Sequence, residues 1–162
     1  MPRSKVTYAI LRAITLLSQW LLAGTFLFSG FVKALDPMGM EYKLAAYFTH
    51  WGINLPAGSL YLDAAVLLLA LIEFTLGVYL LLGMRKRVAA IGSFAFMLVM
   101  TSLTIYIYAF NPVADCGCFG TAITLTNGET LAKNIVLLAC AFIVLTQRRH
   151  SLRIITVHTQ WL

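Results

Sequence analysis

Charge is what this sequence has least of. Only 11% of its 162 residues are charged, against 60% hydrophobic, and the mean hydropathy is +0.86. A soluble domain carries roughly a quarter charged and about half apolar residues, so a surface turned wholly to water is excluded. Acids are scarcer than bases, six against twelve, giving a formal net charge of +6. No basic recognition element accompanies that excess; the cations lie in short clusters between apolar runs, a pattern that excludes a nucleic-acid partner. Histidine and cysteine number three each, too few on one side of the chain to complete an ordinary metal site. No A-x-A cleavage site follows the first apolar run, so that run reads as a retained helix rather than a removed signal peptide.

What is present is apolar length. Runs at 9–31, 60–83 and 88–110 each exceed the roughly 20 residues needed to cross about 30 Å of hydrocarbon. A fourth, at 131–145, reaches that length when extended to 129–147. Inside lipid the backbone must satisfy its own hydrogen bonds, so all four runs are helices. The expectation is an all-α membrane protein: one domain over 1–162, built as a bundle of four transmembrane helices in a lipid bilayer.

Orientation follows from the cations. Arg3, Lys5 and Arg12 precede or open the first run; Arg85, Lys86 and Arg87 join the second to the third; Arg148, Arg149 and Arg153 follow the fourth. Lys/Arg bias places these segments, and with them both termini, in the cytoplasm. The connections 33–59 and 111–130 then face outward. Asp36-Pro37 suits a helix start, and Met40, Leu44, Tyr47 and Phe48 recur at helical spacing. An amphipathic helix over about 37–49 is expected on the outer membrane surface, with Trp51 and Tyr61 in the interfacial aromatic belt. Thr126-Asn127-Gly128-Glu129 has the capping-box pattern that opens a helix.

The outer connection at 111–130 contains Asp115-Cys116-Gly117-Cys118-Phe119-Gly120. Two cysteines one residue apart, on the side where disulfides persist, would close a tight and readily reduced ring. Exchange with a partner, a static staple and half of a metal site are the three readings, and exchange is preferred because strained exposed disulfides are the labile ones. Glu73 falls near mid-bilayer, where an acid faces the bundle interior, and counting turns puts Gln19 and Thr101 at similar depth. Packing and a proton or quinone role are equal readings of this layer. Lys33, just beyond the first run, is expected to snorkel to the outer interface, where it can pair with Asp36 or Asp63 or attract an anionic partner. Cys140 reads as a small packing residue. Gly24, Gly30, Gly77, Gly83 and Gly92 read as points of close helix approach.

Phe28-Ser29-Gly30-Phe31-Val32-Lys33-Ala34-Leu35-Asp36-Pro37, Tyr42-Lys43, Glu73 with Gly77 and Gly83, Cys116-Gly117-Cys118-Phe119-Gly120 and Lys133-Asn134 together resemble the DoxX/MauE family of bacterial membrane proteins. The resemblance implies a four-helix bundle in the bacterial cytoplasmic (inner) membrane, with the cysteine loop facing the periplasm. It also implies a role in forming or preserving disulfides in secreted partners, or in quinol-linked redox. Cys116 and Cys118 match the MauE-type pair. The absence of a second cysteine pair, and of Cys-x-x-Cys in the last helix, departs from epoxide-reductase-like bundles and favours an external thioredoxin-fold partner. The expected site residues are therefore Cys116 and Cys118 for exchange, with Glu73 as a quinone or proton site and Lys33 and Lys133 grouped with it. A non-catalytic accessory subunit with a structural disulfide is the rival expectation.

Overall fold

The computed structural model describes residues 5–110 and 125–147. These residues form five helices: α1 (Lys5–Leu35), α2 (Pro37–His50), α3 (Leu60–Leu82), α4 (Lys86–Phe110) and α5 (Asn127–Thr146). Four of them, all but α2, are long and apolar enough to span a membrane. Their outward faces carry large apolar side chains such as Leu17 and Trp20 on α1, Leu68 and Leu71 on α3, and Val99 on α4. A continuous apolar exterior of this kind has lipid as its natural surroundings.

The ends are set locally. Asp36 caps α2 by accepting from the Gly39 N–H at 3.1 Å, with Pro37 in the first turn. Thr126 and Glu129 form the expected capping box, Thr126 N donating to Glu129 Oε2 at 2.9 Å. Gly83 ends α3 in the left-handed region at φ 66, a conformation that glycine adopts without strain. α1 is longer than its apolar run, continuing to Leu35.

α1 packs most extensively on α3, and α4 on α5, while α1 also contacts α5 and closes the bundle. Two glycines bring α1 and α3 together. A Cβ on Gly30 would stand 2.8 Å from both Ala70 O and Phe74 N, and one on Gly77 would stand 2.9 Å from Leu27 N. Gly92 lies under Leu76 and sets the approach of α3 to α4 near their connection. Gly24 has nothing within reach and plays no such part, and Gly83 caps α3.

The dense core lies toward the connection of α3 to α4, with Leu22, Phe26, Leu80, Met97, Leu137 and Ala141 buried together. Cys140 is a free thiol packed against it, as a small packing residue would be. At the opposite end α2 folds over the bundle. Its Met40, Glu41 and Tyr47 are buried, Tyr47 against Ile107 of α4. The apolar stripe of α2 thus serves the bundle and closes its end.

Candidate functional site: a buried ion pair in an open cavity

Lys33 and Glu73 form the polar centre of the protein. Lys33 Nζ lies 2.7 Å from Glu73 Oε2, with both side chains almost wholly buried. Ser29, one turn before Lys33, accepts a second hydrogen bond from Nζ at 2.6 Å. This corrects the expectation that Lys33 snorkels outward to Asp36 or Asp63. The cause is the length of α1: carried on to Leu35, the helix places Lys33 one turn beyond Gly30 on the face against α3. Gly30 then lets the two backbones close to a distance the ammonium can bridge.

The same geometry breaks up the expected polar layer. Gln19 and Thr101 are buried as foreseen, but neither bonds Glu73. Gln19 donates to the Leu80 carbonyl, almost two turns further along α3. Thr101 donates to Met97 O at 2.6 Å and lies 3.5 Å from Asn134 O. Asn134 Nδ2 donates to Thr104 Oγ1 at 2.7 Å, tying α5 to α4.

A cavity of about 280 Å³ opens beside the ion pair. Its walls are almost entirely apolar, with Phe26, Met40, Tyr47, Leu69 and Met100 among them, and Ser29, Lys33, Glu73, Lys133 and Asn134 supply the polar part. Lys133 therefore borders the same space as Lys33 and Glu73, as the three were grouped from sequence. The cavity exists because α3 and α4 meet near their connection and line a gap further along, where Ala65 and Leu69 face Val99 and Leu103. Ala65 and Val99 are themselves exposed on the bundle exterior.

α2 is held over this space by polar contacts. Glu41, fully buried, accepts from the Gly58 N–H at 2.9 Å through Oε2. Its carboxyl also meets that of Asp63, and this neighbour, ahead of burial, pushes the Glu41 pKa up from its ordinary value. At the end of the helix Trp51 Nε1 donates to Tyr106 Oη at 3.0 Å, and His50 Nδ1 lies 3.1 Å from the same oxygen.

Cys116 and Cys118 lie outside the described residues, as do His150, His158 and the basic tail. The helix ends that flank the cysteine segment are described. Phe110 closes α4 and Thr126 opens α5, and Tyr108 lies beside Gly128. Both ends stand at the α2 end of the bundle, where Trp51 bonds Tyr106.

Sequence reasoning gave no site role to Ser29, Asn134 or Glu41. A local signal existed for the packed face of each charge, though not for their pairing. Lys33 is three residues from Gly30 and Glu73 four from Gly77, so each charge shares a face with a glycine that permits close packing. For Glu41 the signal was weaker, since nothing local distinguishes it from a solvated acid.

The fold and site define a multi-pass α-helical membrane protein with an ion pair buried between its first two spanning helices. Residues 11–147 match the family model of MauE, the methylamine utilisation protein, so the chain belongs to the MauE family. The match is to MauE; the DoxX side of the resemblance has no part in it. Neither a curated protein nor a solved structure matches the chain.

Proposed function

We propose that this protein is a thiol–disulfide redox protein of the bacterial inner membrane. Cys116 and Cys118 exchange a disulfide with a thioredoxin-fold or other secreted partner in the periplasm. In the exchange a thiolate attacks one sulfur of a disulfide and forms a mixed disulfide between the two proteins. The second thiolate of the attacking pair then resolves it, so two electrons and two protons pass from one pair to the other. The nine cations at the ends of the spans, with no acid among them, support the orientation that puts the cysteine segment in the periplasm.

One observation carries the reading. The helix ends that tether the cysteine segment stand at the same end of the bundle as the cavity bearing Lys33, Glu73 and Lys133. A redox segment tethered at that end of the bundle, with an apolar cavity that carries a few polar residues there, suits coupling to a membrane carrier, of which a quinone is the fitting class. Membership of the MauE family supports a role in serving another protein, and it is equally compatible with the second reading: an accessory subunit whose disulfide is a staple.

Trapping separates the two. With Cys118→Ser or Cys116→Ser in native membranes, one variant is expected to accumulate a mixed disulfide with its partner. That adduct should disappear on reduction and be absent from the double Cys→Ser variant. If neither single variant forms an adduct and both only lose stability, the accessory reading stands in place of exchange.

A further inference from the structure

We propose that the cavity between α3 and α4 is a binding site for a fatty acid, a single-chain amphiphile whose carboxylate bonds Lys133 and Asn134 of α5 while its tail lies along the apolar walls. The inference goes beyond the exchange reading and involves neither Cys116 nor Cys118.

The head group comes from the charges. Among the described residues, the charged side chains lining the cavity are Lys33, Lys133 and Glu73, one positive charge in excess. Lys33 and Glu73 offset each other at 2.7 Å, and Lys133 stands outside that pair. Lys133 already makes a contact of its own, but an ammonium carries three donors, so it can take a carboxylate oxygen without giving that contact up. A charge in apolar surroundings is costly unless an opposite one answers it, and a guest with a single negative charge matches this lining. A phosphate monoester, with close to two charges at neutral pH, overshoots it. Asn134 is 3% exposed, and its Nδ2 donates to Thr104 Oγ1 at 2.7 Å. The second hydrogen on that nitrogen is assigned to the other carboxylate oxygen.

The tail and its route come from the walls. Phe26, Met40, Leu69 and Met100 offer an apolar lining of about 280 Å³, close to the lower end of ligand pockets at roughly 300 Å³. That is room for one chain and not for the two of a phospholipid. Ala65 and Val99 line the cavity and are also open to the apolar exterior, Val99 at 65% exposure, so a chain dissolved in the bilayer enters without crossing water. Lys133 lies about 9 Å along the helix axis from the start of α5 at Asn127. The head group therefore stays near the end of the span while the tail reaches inward. A quinone and this acid would exclude each other from a space of that size.

The test uses the full chain in lipid nanodiscs and a fatty acid with a photoreactive diazirine in its chain as probe. Labelling should map to the facing segments of α3 and α4, around 65–69 and 99–103. Dodecanoate should compete for it; dodecanol, with the same chain and no charge, should not. Lys133→Gln should weaken dodecanoate competition roughly tenfold, the loss of a charged hydrogen-bond donor, and Lys133→Arg, which keeps the charge, should retain it. Ala65→Trp, which narrows the entrance and leaves all three charges in place, should reduce labelling even if Lys133→Gln fails to fold. Equal competition by dodecanol would reveal a cleft that takes any lipid tail, and would overturn the proposal. So would dodecanoate competition unchanged by Lys133→Gln, or labelling unchanged by Ala65→Trp. Competition by decylubiquinone as strong as that of dodecanoate would give the cavity to a neutral carrier and overturn it as well. The mixed-disulfide trap is read separately. An adduct without fatty-acid binding removes this inference alone, and fatty-acid binding without an adduct removes the exchange reading alone.

Discussion

Removing one member of a buried ion pair leaves the other charged and unpartnered, a loss of roughly 3–5 kcal/mol, whereas replacing both with apolar groups of similar volume is often neutral. Lys33 and Glu73 meet the conditions for that asymmetry, being 2.7 Å apart and shielded by the α1–α3 contact. Lys33→Met and Glu73→Leu are therefore each expected to lower the thermal midpoint of the detergent-solubilised protein, and the double variant to recover most of the loss. Glu73→Gln should be milder than Glu73→Lys, which sets two ammonium groups against each other. Additive losses in the double variant would show that the two residues act independently. The burial of Glu73 was legible from its position in an apolar run. Its partner was not, because Lys33 lies beyond that run. Only a helix carried on to Leu35, with Gly30 against α3, turns the lysine inward.

α2 shows how an element can be legible while its role is not. Asp36-Pro37 and the spacing of Met40, Leu44 and Tyr47 marked a helix, and α2 spans Pro37–His50. Those same apolar residues line the cavity and not only a membrane surface. Its attachment has a built-in pH dependence. Of the neighbouring charged or titratable groups, Lys33 is held by Glu73 and Ser29, Asp36 caps its own helix and His50 meets Tyr106. Lys43, two residues along, lies off the Glu41 face. Asp63 is the group that Glu41 meets, and it raises the Glu41 pKa. A raised carboxyl pKa in the folded state means that the stabilisation is full below the ordinary carboxylate value. It is lost as pH rises through the elevated value. Amide exchange across 41–60, corrected for its intrinsic pH dependence, should accordingly become faster as pH rises above the ordinary carboxylate range. Glu41→Gln, a neutral mimic of the acid, should flatten that change. A response to pH that is the same in Glu41→Gln would place its origin elsewhere.

At the scale of the whole molecule the orientation proposed from the cations is open to direct test. A cysteine introduced at Arg87, between α3 and α4, should resist a membrane-impermeant thiol reagent in intact cells and react once the membrane is opened. Trp51→Cys, on the opposite end, should react from outside without lysis. Reversed accessibility would invert the protein and remove the periplasmic setting from the proposed exchange. The sequence by itself determined the four spans, the capped starts of α2 and α5 and the burial of Glu73, because these follow from hydropathy, length and local hydrogen bonding along one chain. The tertiary structure alone decided that Lys33 pairs with Glu73, that Glu41 meets Asp63, and that α3 and α4 line a gap beside them. Those depend on the distances between helices, which Gly30, Gly77 and Gly92 set by allowing close approach at some levels of the bundle and not at others.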